Sequence, residues 1–316
     1  MFQLDGQALK QAVTPYFAGV LHEGLSRLKA EVYQEMEEIR LRAAQPLLLK
    51  IGESEWGLTS RGELTKKLPE AINASREDLY RTIASISDNS LYALEEEIRR
   101  GFITIPGGHR VGLAGQVIVQ AAGIKGIKEF SSICFRLARE KKGCARTILP
   151  HIISTGTIVN TLIISPPRCG KTTILRDIAR SISTGSSACP PHNIAIIDER
   201  SEIAGTHRGL AQLDVGIRSD VLDACPKSWG MMMAIRSLSP QVLIADEIGR
   251  KEDVEALQEC VNAGVAVICS IHARNLEELS KRPLIKKLLS QGAFRLGVVL
   301  SRRNGPGTVE EIIRWD

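Results

Sequence analysis

The sequence predicts an α/β protein in which a mostly parallel sheet domain follows a smaller α+β domain. An apolar run over residues 158–164 leads into Gly-Lys-Thr at residues 170–172, and a helix-like segment follows. Further apolar runs near residues 194–198, 241–246 and 265–271 alternate with helix-like segments, as a parallel sheet with crossover helices requires. The first half of the chain instead groups its short strands apart from its helices, which is typical of an α+β domain.

Length and composition fit two globular domains. The chain has 316 residues, of which 43% are hydrophobic and 24% are charged, so each half can bury a core. The net charge of +5 is mild and does not by itself indicate binding to nucleic acid or lipid. Seven scattered cysteines without a Cys-x-x-Cys pair favour a reducing compartment over disulfides or zinc. Polar residues interrupt the N-terminal apolar residues, and no apolar run approaches about 20 residues, so we expect neither signal peptide nor transmembrane segment.

The N-terminal α+β domain is expected to span residues 1–145. Residues 1 to about 30 carry an apolar stripe at helical spacing, with Thr14 as the N-cap and Pro15 at the first helical position. A capping-box pattern at Ser75 and a glycine at position 101 mark the limits of later helices. The expected elements, in order, are strands 38–42 and 47–51, helices 75–87 and 90–100, and strands 102–105, 111–119 and 131–137.

The second domain, residues 146–316, opens with the order of a phosphate-binding loop, which is strand, loop and helix. Gly170 lets the backbone close on phosphates, Lys171 reaches the β- and γ-phosphates, and the Thr172 hydroxyl is a Mg²⁺ ligand. Ser165 stands where such loops usually open with glycine. This pattern predicts a P-loop (RecA/AAA-like) fold. The candidate nucleotide-binding residues are Ser165, Pro166, Pro167, Arg168, Cys169, Gly170, Lys171, Thr172 and Thr173.

Acidic pairs follow two of the apolar runs. Asp246 and Glu247 end one run, and Asp198 and Glu199 end another. Because ligands bind beyond the carboxyl ends of parallel strands, both pairs are expected near the phosphates. Asp246 is the candidate Mg²⁺ ligand and Glu247 the candidate for orienting the attacking water. Glu199 or Asp198 remains an alternative catalytic base.

A histidine and two arginines complete the candidate site. His272 ends the apolar run at 265–271 and could sense the γ-phosphate, although a lone histidine is usually structural. Arg136 and Arg139 precede the domain boundary and could reach a triphosphate when the domains close. The alternative for these arginines is a solvated linker.

Four motifs in order resemble those of the secretion ATPase superfamily, the hexameric motors of type II and type IV secretion and pilus assembly. The stretch 234–250 looks like their Walker B region, Ser270 to Ala273 looks like their histidine box, and Asp198-Glu199 falls at their aspartate box. These ATPases often lack an aspartate where Asp246 stands, so the choice of catalytic base stays open. The motifs lie at 165–173, 196–203, 236–250 and 269–273.

Over essentially its whole length the chain is similar to the stage III sporulation protein AA family of endospore-forming bacteria. This resemblance implies a cytoplasmic ATPase of the mother cell that serves a secretion-like channel between mother cell and forespore. It would be a homo-hexamer, peripherally associated with integral membrane proteins of that channel. The stretches that carry the resemblance are 38–42, 106–112, 197–205 and 300–307.

The leading hypothesis is a hydrolase with ATP and Mg²⁺ as cofactors that powers assembly or operation of the channel. In a ring, an arginine from one subunit could complete the neighbouring site. One alternative is a nucleic-acid-dependent P-loop ATPase, but aromatic residues make up only 4% of the chain and leave few stacking platforms. Another is a nucleotide-switched scaffold without turnover. The candidate arginines, with structural salt bridges as their alternative, are Arg40, Arg42, Arg110, Arg136 and Arg139.

Overall fold

The computed structural model describes residues 6–90, 94–121, 123–154, 156–187 and 189–315. The chain forms two compact units that divide between Glu140 and Lys141. The sequence prediction put the division after residue 145, among the turns at 142–148 that begin the second unit. In the described residues, no helix is long and apolar enough to cross a membrane.

The first unit is built on an antiparallel sheet with strand order β5-β4-β3-β1-β9-β8-β7, and a short β2–β6 pair accompanies it. Its described helices are α1 (Gly6–Val13), α2 (Gly19–Arg27), α3 (Ala30–Glu35), α4 (Arg76–Ile86) and α5 (Glu95–Arg100). Its strands are β1 (Met36–Arg42), β2 (Gln45–Pro46), β3 (Leu48–Ile51), β4 (Ser54–Leu58), β5 (Leu64–Thr65), β6 (Asn73–Ala74), β7 (Phe102–Ile105), β8 (His109–Gln120) and β9 (Gly123–Arg136).

The helical region predicted for residues 1 to about 30 is interrupted between α1 and α2 by a 3₁₀ turn over Thr14–Tyr16, so the prediction of Thr14 as a helix N-cap is wrong. Thr14 starts a 3₁₀ turn, and its hydroxyl donates back to the Lys10 carbonyl at 2.7 Å instead of capping a helix. The backbone at Ala18 is extended, which ends the helical run. The apolar stripe still packs into the core at Phe17, Leu21, Leu25 and Leu28, whereas Val20 is 41% exposed.

The later helix limits agree with the sequence. Ser75 caps α4 with a complete capping box, in which its side chain accepts from the Asp78 N–H. Gly101, with φ of 80°, ends α5. The predicted helix over 90–100 partly falls on residues 91–93, outside the described residues, and α5 itself begins at Glu95.

The second unit contains the mostly parallel sheet that the sequence predicted. Its helices are α6 (Leu149–Ile152), α7 (Lys171–Thr184), α8 (Lys227–Ser237), α9 (Lys251–Asn262), α10 (Leu276–Ser280) and α11 (Pro283–Ser290). Its strands are β10 (Ile153–Ser154), β11 (Thr157–Ile158), β12 (Thr161–Ser165), β13 (Ile194–Asp198), β14 (Ser219–Asp223), β15 (Val242–Ala245), β16 (Ala266–His272), β17 (Leu296–Ser301) and β18 (Thr308–Arg314).

The parallel strands place the candidate motifs together at the carboxyl-terminal ends of neighbouring strands. The strand order is β14-β13-β15-β16-β12-β17-β18, with parallel pairing from β14 through β17 and antiparallel pairing between β17 and β18. In register, Ser165 at the end of β12 pairs with His272 at the end of β16. Because β16 lies between β12 and β15, the histidine strand separates the phosphate loop from the Asp246-Glu247 strand. Apolar side chains bury both faces of the sheet in two clusters.

Candidate functional site

The loop between β12 and α7 has the backbone of a phosphate-binding loop. Gly170, with φ of 84°, is the N-cap of α7, and Arg168, with φ of 61°, bends the chain before it. A glycine suits position 170 because an L side chain rarely adopts this φ. The first N–H groups of a helix have no intrahelical acceptor and carry the positive end of the helix dipole. The start of α7 therefore presents amides suited to an anion.

Ser165 departs from the usual glycine without disturbing this loop. It is the last residue of β12, it is fully buried, and its backbone stays extended. Its hydroxyl donates to the Pro166 carbonyl at 2.9 Å. The backbone bend falls at Arg168 and Gly170 instead, so position 165 does not need the conformational freedom of glycine.

Thr172 and Asp246 meet beside the loop. The Thr172 hydroxyl donates to Asp246 Oδ2 at 2.6 Å, and the Ser270 hydroxyl donates to Asp246 Oδ1. A hydroxyl and a carboxylate are oxygen ligands that Mg²⁺ accepts, and Mg²⁺ usually takes only one or two carboxylates plus phosphate oxygens and water. The pair fits that ion. The described residues contain no group of three His, Cys, Asp or Glu side chains arranged to hold a metal alone. The sequence placed Ser270 in the histidine-box stretch but assigned no role to its hydroxyl.

A chain of polar contacts joins Lys171 to Glu247 through His272. Lys171 Nζ lies 3.0 Å from His272 Nδ1, and His272 Nε2 lies 2.6 Å from Glu247 Oε1. Because an ammonium group can only donate, Nδ1 is the acceptor and the ring proton is on Nε2, which donates to the carboxylate. Arg200 Nη1 contacts the second Glu247 oxygen at 2.9 Å. The predicted acid, histidine and lysine thus lie together.

Local backbone geometry holds Glu247 in this position. Its φ is 53°, an uncommon value for a residue other than glycine, and its N–H donates to the Ser270 hydroxyl at 3.0 Å. Strained backbone of this kind costs about 1–3 kcal/mol and clusters at functional sites. Ser270 therefore contacts both members of the Asp246-Glu247 pair.

Lys171 is buried, and its pKa is lower than that of an exposed lysine. Its side chain is 5% exposed, and Nζ also lies 3.4 Å from the Pro166 carbonyl. Burial lowers the pKa of Lys171, while the nearby Asp246 and Glu247 carboxylates act in the opposite direction. Opposite charges within a few ångströms favour the charged form.

Asp198 is buried, and backbone donors occupy its carboxylate. It is 2% exposed and accepts the N–H groups of residues 202, 203 and 204 at 2.8, 3.0 and 2.9 Å. Burial raises the pKa of Asp198 to about 6, although these three donors stabilise its charged form. Its carboxylate thus ties down the chain that follows β13.

Glu199 points into a cleft next to Asp246 and Glu247, but it is paired. Its carboxylate forms an ion pair with Lys227, which is only 8% exposed. No motif in the sequence indicated Lys227, because it lies at the start of α8, 28 positions from its partner. The cleft is lined by Asp198, Glu199, Arg200, Glu202, Lys227, Asp246 and Glu247.

The candidate arginines all belong to the first unit, and several have local partners. Arg40 forms an ion pair with Glu38 at 2.7 Å. The Arg110 guanidinium lies 3.4 Å from the centre of the Phe102 ring. Arg139 Nη2 donates to the Met36 carbonyl at 2.7 Å, and Arg136 pairs across strands with Glu38 and Arg110 in the sheet. A role of Arg136 and Arg139 at the phosphates stays a prediction.

Comparison with known proteins gives a family match and a fold match. The family described as "Sporulation stage III, protein AA" matches residues 8–315. The chain is 45% identical to the stage III sporulation protein AA of Bacillus subtilis over 297 residues, which cover 94% of this chain and 92% of that protein.

Two solved structures share the fold at low sequence identity. The pilus retraction motor PilT with bound ADP gives a TM-score of 0.57 at 15% identity, covering 90% of this chain and 81% of that one. The Legionella pneumophila ATPase DotB gives 0.56 at 15% identity, covering 84% and 72%. The predicted P-loop fold is confirmed by these neighbours.

Proposed function

The chain belongs to the sporulation stage III, protein AA family, and from that premise we propose that it is a Mg²⁺-dependent ATPase. The observation that carries the proposal is that five polar side chains meet at the carboxyl ends of the parallel strands. They are Lys171, Thr172, Asp246, Glu247 and His272. The pilus retraction motor, whose structure holds ADP, has the same fold. The proposal assigns the nucleotide phosphates to the Ser165–Thr173 loop.

Each residue of the loop would act on the phosphates in a distinct way. The α7 amides and Lys171 would bind the β- and γ-phosphates, and Thr172 with Asp246 would hold Mg²⁺. The ion would neutralise charge that develops on the transferred phosphoryl group. Phosphate oxygens compete with His272 for the Lys171 ammonium, because both are acceptors within reach of the same donor.

Glu247 is the proposed catalytic base, and Glu199 is the rival. The Glu247 carboxylate contacts His272, and His272 contacts Lys171. A phosphate bound to Lys171 would therefore be linked to Glu247 through the His272 ring. Glu199 is instead held by the nearly buried Lys227. Loss of the γ-phosphate would restore the Lys171–His272 contact, and His272 would then report the nucleotide state.

At the level of the cell, we propose an energy-supplying role in sporulation. The chain would act as a homo-hexamer in the mother-cell cytoplasm, peripheral to integral membrane proteins of the channel between mother cell and forespore. Hydrolysis would power assembly or operation of that channel. An arginine among Arg40, Arg42, Arg110, Arg136 and Arg139 would complete the neighbouring site in trans.

Nucleotide binding by matched lysine variants tests the site. Titration calorimetry with ATP and Mg²⁺ would show binding by the wild type and none by Lys171→Ala at the same concentrations. Lys227→Ala is the control, because it removes another buried lysine, one that lines the cleft beside Asp246 and Glu247, and leaves the loop sequence unchanged. It should keep the affinity within about threefold, well under the roughly tenfold change that 1.4 kcal/mol represents. Equal losses in both variants would show that charge alone, not the loop, governs binding.

A further inference from the structure

The turn that joins β17 to β18 packs against the phosphate loop. The Gly307 N–H donates to the Cys169 carbonyl at 2.9 Å. A Cβ placed on Gly170 would lie 3.2 Å from the Gly307 nitrogen. On its other side the turn meets α7, since a Cβ on Gly307 would lie 3.5 Å from Ile174 Cδ1. The turn therefore contacts both the loop and the first turn of the helix that follows it.

This bond fixes the orientation of one peptide group of the loop. The described chain has no cis peptide bonds, so the Cys169 carbonyl and the Gly170 N–H point to opposite sides of one planar group. Because the carbonyl is held toward the turn, the Gly170 N–H points away from it. Gly170 is the N-cap of α7, and its N–H thereby joins the first helical amides, which have no intrahelical acceptor.

Hydrogen bonds within the turn and strand pairing beside it hold the turn in place. The Thr308 hydroxyl donates to the Gly305 carbonyl at 2.7 Å and accepts the Asn304 N–H at 3.2 Å. The Gly305 N–H donates to the Arg302 carbonyl at 3.0 Å. Strand β17 also pairs in parallel with β12, the strand that leads into the loop. The phosphate loop is therefore held at two points, by the pairing of β12 with β17 before the loop and by the Gly307 N–H at Cys169 within it.

We propose that the Gly305–Gly307 turn positions the phosphate loop for nucleotide, through the Gly307 N–H. The bond keeps the Cys169–Gly170 peptide in the orientation that presents the Gly170 amide to the β-phosphate of a nucleoside diphosphate or triphosphate. Gly307 is a positioning residue and does not itself contact the ligand. The inference rests on the proposed function for its ligand, and on the hydrogen bond alone for its geometry.

Replacing single backbone amides by esters tests the bond directly. Glycolic acid incorporated at position 307 by nonsense suppression removes the N–H and keeps the glycine backbone. The matched control is the same replacement at position 305, whose N–H bonds only within the turn. Two quantities are measured in wild type and both esters: the dissociation constant of Mg²⁺-ADP, and the ¹⁵N–H resonance of Gly170 without nucleotide. Thermal unfolding midpoints show whether each protein is folded.

The ester at 307 should weaken Mg²⁺-ADP binding about fivefold to tenfold and shift the Gly170 resonance, as loss of one oriented hydrogen bond allows. The ester at 305 should change affinity by less than about twofold and leave that resonance in place. Equal effects of the two esters, or an unmoved Gly170 resonance in the 307 ester, would overturn the inference. Failure of the wild type to bind any nucleotide would refute the proposed function instead, and the Gly170 resonance would still decide the positioning claim.

Discussion

His109 is expected to make the first unit sensitive to acid. The ring is 1% exposed in the sheet, and its Nδ1 accepts the Ala138 N–H at 3.0 Å. Burial lowers the pKa of His109 from 6.5 to about 4. The folded state therefore holds the neutral ring at a pH where the unfolded chain already binds a proton. Proton uptake by the unfolded chain favours unfolding, so stability rises with pH between about 4 and 6.5.

The size of the effect follows from these two values. Between pH 7.5 and pH 5 the linkage amounts to about 2 kcal/mol of unfolding free energy, and it approaches about 3 kcal/mol at lower pH. His109→Asn removes the titration while its amide oxygen can still accept the Ala138 N–H. The control His22→Asn removes an exposed histidine from α2 of the same unit.

Urea unfolding at pH 7.5 and pH 5 measures the difference. The wild type and His22→Asn should lose about 2 kcal/mol more than His109→Asn over this range, because apart from the exposed His22 the three proteins share every titrating group other than His109. The same loss in His109→Asn as in the wild type would refute the assignment of the pH dependence to this ring.

Further predictions concern the second unit and the oligomer. Thr172→Ala should raise the Mg²⁺ concentration for half-maximal hydrolysis about tenfold, and Thr172→Ser should restore it, because only the hydroxyl is needed; a magnesium titration of activity decides this. Asp198→Ala should lower the unfolding free energy in urea by about 3 kcal/mol or more, since three buried N–H groups lose their acceptor. A loss under 1 kcal/mol would contradict that structural role. Hydrolysis per subunit should rise with protein concentration as subunits associate, and a flat rate would exclude an arginine acting in trans.

Much of the second unit could be predicted because its sheet is parallel and buried. Strands β12, β13, β15 and β16 read as continuous apolar runs, and the candidate site residues lie at or just beyond their carboxyl ends. Strand β14 was missed, since it is only half-buried and two of its residues are the charged Asp220 and Asp223, which break up the apolar run. The N-terminal helix was predicted too long because the apolar stripe continues through a turn that periodicity does not register.

The sequence could predict which residues belong to the candidate site, but not which of them form hydrogen bonds or ion pairs with one another. The Gly-Lys-Thr pattern indicated Lys171, and residue types at strand ends indicated Asp246 and His272. Which carboxylate is buried under backbone donors depends on the loop after β13. Asp198 and Glu199 are neighbours in sequence with opposite surroundings, one capped by N–H groups and one paired with Lys227. The Gly307 contact with Cys169 joins residues far apart in the chain, and such a contact cannot be predicted from a local sequence pattern.

Hydrolysis by a single variant tests the central claim most directly. At saturating ATP and Mg²⁺, the wild type should turn over, while Glu247→Gln should bind ATP within about threefold of the wild-type affinity and hydrolyse it at least about 100-fold more slowly. Glu199→Gln, measured beside it, should retain most of the wild-type rate, because the contacts that lead from Lys171 through His272 end at Glu247, whereas Glu199 pairs with Lys227. Equal rates in wild type and Glu247→Gln would contradict the assignment of Glu247, and absence of hydrolysis in every protein despite binding would make the chain a nucleotide-switched scaffold.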